Sequence, residues 1–146
     1  MLSAISQNLT HTGSSDFTGI GNALDNVIIG GTGNDYLIGL AGNDVLIDGN
    51  GLNTLQGGSG DDIYAVQSND DTVFEFANEG TDQVQTFLPF YRLSPNVENL
   101  TLIGNMDHTG IGNELSNVIT GNGGNDTLDG GVGAPDTLIG GLGNDT

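Results

Sequence analysis

Residues Gly30 to Ala65 read GGTGNDYLI, GLAGNDVLI, DGNGLNTLQ and GGSGDDIYA, four consecutive lines of nine. Each line keeps Gly at its fourth position (Gly33, Gly42, Gly51, Gly60) and Asp or Asn at its sixth (Asp35, Asp44, Asn53, Asp62). The eighth position is always large and apolar or aromatic: Leu37, Leu46, Leu55 and Tyr64. Self-similarity at a fixed short period marks a solenoid before any strand is assigned. Glycines at positions one to four let the backbone take positive φ and leave its carbonyls unobstructed. Asp at position six supplies a hard anionic oxygen. Positions seven to nine, such as Tyr36-Leu37-Ile38, form a short strand whose middle side chain points away from its flanks. Two lines then close one coil of 18 residues, and position-eight side chains stack into a narrow core of Ile28, Leu37, Leu46, Leu55 and Tyr64.

Outward from this stretch the pattern first fades and then returns. Gly121 to Asp129 reads GNGGNDTLD, Gly130 to Ile139 reads GGVGAPDTLI with one inserted residue, and Gly140 to Thr146 reads GGLGNDT. Degenerate lines precede each block, at Gly21 to Ile29 and at Gly112 to Thr120. Ile119, Leu128 and Leu138 extend the expected core into the second block. A longer period overlies the short one: Asn8 to Leu37 align with Asn99 to Leu128 at a shift of 91, with 19 of 30 positions identical. The expected organisation is a partial preceding repeat over 1–20, a first block over 21–65, a spacer over 66–111 and a second block over 112–146. The second block stops inside a motif, as a window cut from a longer array would.

Composition narrows the function. Of 146 residues 19 are Asp or Glu, Arg92 is the single basic residue, and the formal net charge is -18. Nucleic-acid binding needs Lys and Arg against phosphates, and anionic membrane surfaces repel such a chain. A P-loop needs a Lys. No apolar run approaches the roughly 20 residues that span a bilayer, so no membrane insertion is expected. Zero Cys excludes disulfides and thiolate zinc sites. Met1 to Thr10 shows neither the charged nor the apolar region of a Sec signal. With 35% hydrophobic residues and 5% aromatic ones, the core is thin and the carboxylates repel, so divalent cations are expected to complete the fold.

GGTGNDYLI, GGSGDDIYA and GNGGNDTLD resemble the repeats-in-toxin (RTX), or hemolysin-type, calcium-binding nonapeptide. The resemblance implies an all-β fold, a right-handed parallel β-roll or β-helix solenoid, with Ca²⁺ as cofactor. The stretch from Gly57 through Thr86, with NVENLTL further on, is similar to the spacer of long arrays of this type. The resemblance also implies that each ion lies between loops two nonapeptides apart, held by two position-six side chains and loop carbonyls. It pairs Asp44 with Asp62, using carbonyls around Gly39 to Gly42 and Gly57 to Gly60. It pairs Asp35 with Asn53, one charge short, with Gly30 and Gly33 in the loop. Asp126 pairs with Asp145, with Gly121, Gly124 and Gly140 alongside. Asn117 faces Asp136 across the Ala134-Pro135 insertion, and Asn26 faces Asp44. Oxygen-only ligation suits Ca²⁺ better than Mg²⁺ or Zn²⁺. The bland alternative is that these Gly/Asn/Asp turns cap a solenoid without metal.

In the spacer, Asp71 to Phe76, Asp82 to Thr86 and Val97 to Leu102 alternate like strands. A wider β-helical segment is expected there, with the aromatics of Phe87 to Arg92 packed inside; the competing reading is an exposed patch for a partner or sugar. Asp70, Asp71, Glu75, Glu79 and Asp82 crowd together in sequence, where a further ion is one reading. His11 and His108 are expected at the surface, outside the loops. No Ser, His and Asp stand in nucleophile–base order, and one Arg is a poor basis for lyase chemistry, so no enzyme is expected.

Four functions compete. The first is a calcium-folded structural or adhesive module of a secreted bacterial protein, located outside the cell or on its surface and exported by a type I route. The second is a self-associating filament or surface-layer block, in which coils of further copies stack head to tail. The third is a polysaccharide-binding accessory module. The fourth, an ice-binding roll, fails because the position-three row reads Thr32, Ala41, Asn50, Ser59, Gly123, Val132, Leu142 rather than a run of Thr.

Overall fold

The structure is a computed structural model that describes residue 1 and residues 7–146. Of the expected preceding repeat over 1–20, residues 2–6 lie outside the described residues. Strands follow in chain order: β1 (Asn8–Thr10), β2 (Thr18–Ile20), β3 (Val27–Ile29), β4 (Tyr36–Ala41), β5 (Val45–Ile47), β6 (Thr54–Ser59), β7 (Ile63–Val66) and β8 (Thr72–Val73). Then come β9 (Gln83–Thr86), β10 (Phe90–Arg92), β11 (Asn99–Leu102), β12 (Thr109–Ile111), β13 (Val118–Gly123), β14 (Thr127–Asp129) and β15 (Thr137–Leu142). No helix occurs among the described residues, so none is long and apolar enough to cross a membrane.

The chain alternates between two faces, as the two-line coil requires. Odd-numbered strands build one sheet, β1-β3-β5-β7-β9-β11-β13-β15, and the other face carries β2-β4-β6-β8 and then β10-β12-β14. Every pairing is parallel. The result is a parallel β-solenoid of about eight coils. Within the first block Val27, Val45 and Ile63 pair at steps of 18. The spacer keeps the solenoid going with one long step, Ile63 to Gln83, and one short step, Gln83 to Asn99. Together these span 36 residues, two ordinary coils, so the insertion and the deletion cancel. The spacer is therefore not systematically wider than the blocks.

Tight stacking explains the glycines. Positive φ recurs at positions two and four, as in Gly58 (+100°) and Gly60 (+133°). A Cβ on Gly60 would run into the Gly42 carbonyl of the preceding coil. Gly33, grouped with these in the sequence, is not among the positive-φ residues. Leu40 takes position two of its line at φ +91°, a conformation that L residues with large side chains rarely adopt.

The core is one file of side chains from each face. Leu9, Ile28, Leu46, Tyr64, Val84, Leu100 and Ile119 lie in register down the large sheet. They meet Leu37, Leu55 and Val73 and then Tyr91 and Leu128. Of the expected position-eight stack only Leu138 departs, at 45% exposed. It sits on β15, at the open end of the sheet, with no described coil over it. The aromatics of the spacer also depart from expectation. Of the aromatics expected inside, Tyr91 is buried but Phe87 and Phe90 are exposed; Phe74 and Phe76 are exposed as well. In the alternating run after Asp71 the inward residues are Val73 and Glu75, which leaves Phe74 and Phe76 packed edge to face outside.

Candidate metal centre

Position-six residues immediately precede each strand, so coil stacking arranges them in ladders along the strand-entry edges. The backbone N–H of one rung donates to the side chain of the next. On the large-sheet edge Asn26 donates to Asp44 Oδ1 (2.7 Å), Asp44 to Asp62 Oδ1 (2.7 Å), Asp62 to Asp82 Oδ1 (2.9 Å) and Asp82 to Glu98 Oε2 (2.7 Å). On the opposite face Phe17 donates to Asp35 Oδ1, Asp35 to Asn53 Oδ1 and Asn53 to Asp71 Oδ1. In the second block Asn117 donates to Asp136, His108 to Asp126, and Asp126 to Asp145, each at 2.9 Å. All five pairs implied by the resemblance are thus brought together. Residues 131–135, which hold the insertion, are exposed, and Asp136 returns to the ladder despite it.

One carboxylate oxygen per rung makes this bond; the fate of the other separates the rungs. Asp44 Oδ2, Asp62 Oδ2 and Asp126 Oδ2 are buried without a hydrogen-bond partner. A buried acceptor without a donor costs about 1–3 kcal/mol, more when charged. The neutral rungs leave no such oxygen. Asn53 turns its Nδ2 to Asp71 Oδ1, Asn26 to Asn22 Oδ1, and Asn117 to the Val97 and Glu98 carbonyls. Asp35 is also satisfied, since its Oδ2 accepts the Gly31 N–H at 2.7 Å.

Each unpartnered oxygen borders a cradle beside a position-one glycine. A Cβ on Gly39 would collide with Asp44 Oδ2 and come within 2.7 Å of the Gly57 carbonyl oxygen. A Cβ on Gly121 would collide with Asp126 Oδ2 and come within 2.5 Å of the Gly140 carbonyl. Gly57 lies against Asp62 Oδ2 and the Tyr64 hydroxyl, and Gly30 against Asp35 Oδ2 and the Asp48 carbonyl. The donor set is all oxygen, anionic and carbonyl, which fits a hard divalent cation. Electrostatics agree. Burial pushes Asp44 up to about 6, with Asp25 adding to it and the Asn26 N–H opposing. Burial pushes Asp62 up to about 7, with Asp44, Asp82 and Asp61 adding their charge. These sites resist negative charge unless a cation or a proton neutralises it.

Some placements overturn the sequence expectations. His108 is not at the surface. It is buried at position six of its coil, with both ring nitrogens unpartnered and Nδ1 3.5 Å from Asp126 Oδ1. His11 is half-buried and stacks on Phe17, the residue that holds position six in the first period. The crowded spacer acids do not form one cluster: Glu75 and Asp82 join Asp62, while Asp71 faces Asp48. Asp48 and Asp71 are both carboxylates, so a hydrogen bond between them exists only when one is protonated; burial and Asp71 push Asp48 well up.

The sequence also held a second ladder that was not read from it. Position-five residues accept from the coil that follows: Asp25 from Asn43, Asn43 from Asp61 and Asp61 from Thr81, each at 2.9 Å. Asp107 and Asn125 do the same in the second block. The available signal was the Asn or Asp that recurs one residue before position six.

Comparison with known proteins places this geometry. A family described as the RTX calcium-binding nonapeptide repeat matches in four copies, over residues 20–47, 38–73 and 111–146, more than half of the chain. No curated protein and no solved structure matches it.

Proposed function

The chain belongs to the RTX calcium-binding nonapeptide repeat family, and from that premise we propose that it is a structural module of a secreted bacterial protein that folds when it binds Ca²⁺ outside the cell. Calcium is the ion such repeats bind, and the chain is a calcium-binding β-roll module. The observation that carries the proposal further is the trio of buried, partnerless carboxylate oxygens on Asp44, Asp62 and Asp126. Asp44 and Asp62 with the Gly57 carbonyl would hold one ion, and Asp126 and Asp145 with the Gly140 carbonyl another. The ion supplies positive charge and coordination to oxygens that no N–H reaches. The chain's own part is to hold those oxygens in register through the rungs at 18- and 19-residue spacing.

The surroundings follow from the binding equilibrium. Extracellular calcium modules bind at about 10⁻⁴–10⁻³ M, so the free ion inside a cell leaves such a chain unfolded and the outside folds it. Binding free energy is then folding free energy. The proposed role is structural or adhesive, since the buried carboxylates lie in ladders that tie coil to coil. A far-UV circular dichroism titration from EDTA tests the reading. A coil spectrum that turns to β with a cooperative midpoint near ~0.1–1 mM Ca²⁺ supports it, and β-structure in EDTA that Ca²⁺ leaves unchanged counts against it.

One observation favours stacking with further coils, in the same array or from other copies. Leu138, Ile139 and Leu142 leave apolar surface on the last strand of the large sheet. Sedimentation in Ca²⁺ separates a monomer from polymers that grow with concentration. Exposed Phe74, Phe76, Phe87 and Phe90 are the surface a polysaccharide would stack on, which a glycan array tests.

A further inference from the structure

The family match ends at residue 73 before resuming at 111, yet the acidic ladder continues into that gap and changes its chemistry there. Glu75 stands 18 residues after Gly57, where the repeat would place another position-one glycine. Its backbone carbonyl is tied to Asn96 Nδ2 at 2.9 Å. Its side chain turns inward, and Oε1 accepts the Gly57 N–H at 3.2 Å. Glu75 is 4% exposed, and Asp62 and Asp82 are 1% each. One carboxylate oxygen from each of the three lies within 4.8 Å of the other two. Asp62 Oδ2 and Glu75 Oε2 are buried without a hydrogen-bond partner. Glu79 faces Glu75, and Glu98 accepts the Asp82 N–H, so the surroundings add negative charge.

A buried acidic triad of this kind is strongly unfavourable unless a cation joins it. We propose that Asp62, Glu75 and Asp82 form an additional Ca²⁺ site at the junction of the first repeat block and the spacer, and that it holds its ion more tightly than the nonapeptide sites. This inference rests on the calcium-coupled folding proposed above. Three carboxylates surround the ion, Asp62 being shared with the neighbouring Asp44 site, where a nonapeptide pair offers two, and affinity for Ca²⁺ rises with the number of charged ligands. All three groups are oxygen donors, which selects a hard ion over one that prefers nitrogen or sulfur. The site joins the coil of Asp62 to that of Asp82, the long step of 20 residues, and so clamps the spacer to the block.

Glu75→Gln keeps the acceptor for the Gly57 N–H and removes one charge. Asp82→Asn likewise keeps an acceptor for the Asp62 N–H. Equilibrium dialysis with radioactive Ca²⁺ counts ions on the wild type, on each variant and on the pair. The wild type is expected to bind one ion about tenfold more tightly than the rest. Each variant should lose that tight-binding class, leaving an affinity no better than that of the nonapeptide sites. The double variant should lose no more than that one ion, and the remaining ions should still drive the circular dichroism transition. Equal ion numbers and affinities in wild type and variants would overturn the site alone. A wild type that binds no Ca²⁺ overturns the parent reading together with it. Tb³⁺ luminescence sensitised by Tyr64, whose hydroxyl lies beside Asp62 Oδ2, gives a second readout. Its brightest, tightest component should vanish in Glu75→Gln, and its persistence counts against the site.

Discussion

The backbone N–H of Asp44 donates to Asp62 Oδ1 at 2.7 Å across 18 residues, while Oδ2 of that carboxylate is buried with no donor at all. One oxygen builds the solenoid and the other is left for a cation. The two tasks are separable by mutation. Asp44→Ala removes the acceptor for the Asn26 N–H as well as the ligand. It should cost about 1–3 kcal/mol and raise the Ca²⁺ midpoint. Asp44→Asn keeps the rung and supplies its own donor, as Asn53 does. It should raise the midpoint by about tenfold, or 1.4 kcal/mol, yet leave the EDTA form more ordered than wild type. Circular dichroism in EDTA and in Ca²⁺ reads both, and identical behaviour of the two variants would show that the rung and the ligand are not separate.

Proton binding substitutes for calcium in the metal-free fold. Burial raises Asp44 to about 6, Asp62 to about 7 and Asp82 to about 6, all from 3.8. An acid whose folded pKa lies above its unfolded one binds more protons when folded. Between about pH 4 and 7 the folded state therefore loses stability as pH rises. Far-UV circular dichroism in EDTA is expected to show more β-structure at pH 5.5 than at pH 8. Saturating Ca²⁺ should remove that advantage, because ion and proton compete for the same oxygens. β-structure in EDTA that grows from pH 5.5 to pH 8 would contradict these assignments.

Glycines at positions one and four fail in different ways. Gly39 has a cradle beside it, and Gly39→Ala puts a methyl between Asp44 Oδ2 and the Gly57 carbonyl. Its effect should fall on Ca²⁺ affinity and ion count. Gly60 sits at φ +133° over the Gly42 carbonyl. Gly60→Ala should cost about 1–3 kcal/mol even when calcium saturates the chain. Comparing the melting temperature in excess Ca²⁺ with the ion count separates the two, and equal losses in both measurements for both variants would erase the distinction.

The nonapeptide made the solenoid legible because the fold obeys the same period. Position eight repeats apolar, and Ile28, Leu37, Leu46, Leu55 and Tyr64 are all fully buried. The spacer was less legible for a physical reason. Alternation in Thr72-Val73-Phe74-Glu75-Phe76 fixes which residues share a face, not which face is inside. Hydrophobicity argues for the phenylalanines, and the coil puts Val73 and Glu75 inside, in line with Leu55 and Gly57 of the coil before. Only the 18-residue offset from Gly57 to Glu75 could have revealed this. His108 was misplaced in the same way. The 91-residue shift sets it against Phe17, which is no ligand; only the 18-residue offset from Asp126 marked the position as a rung.

His108 also offers a gain-of-function test. Its N–H donates to Asp126 Oδ1 as that of Asp44 does to Asp62, so the coil has a rung without a carboxylate. Five residues earlier stands Ile103, where Gly39, Gly57 and Gly121 stand in their lines. That coil therefore lacks both the charge and the cradle. His108→Asp alone should bury an uncompensated carboxylate and lower the melting temperature at pH 8 in Ca²⁺. His108→Asp with Ile103→Gly supplies the missing oxygen and the space together. The double variant is expected to bind one Ca²⁺ more than wild type and to recover stability over the single variant as Ca²⁺ rises. If its ion count equals that of wild type, a position-six carboxylate and a position-one glycine are not sufficient to make a site in this solenoid.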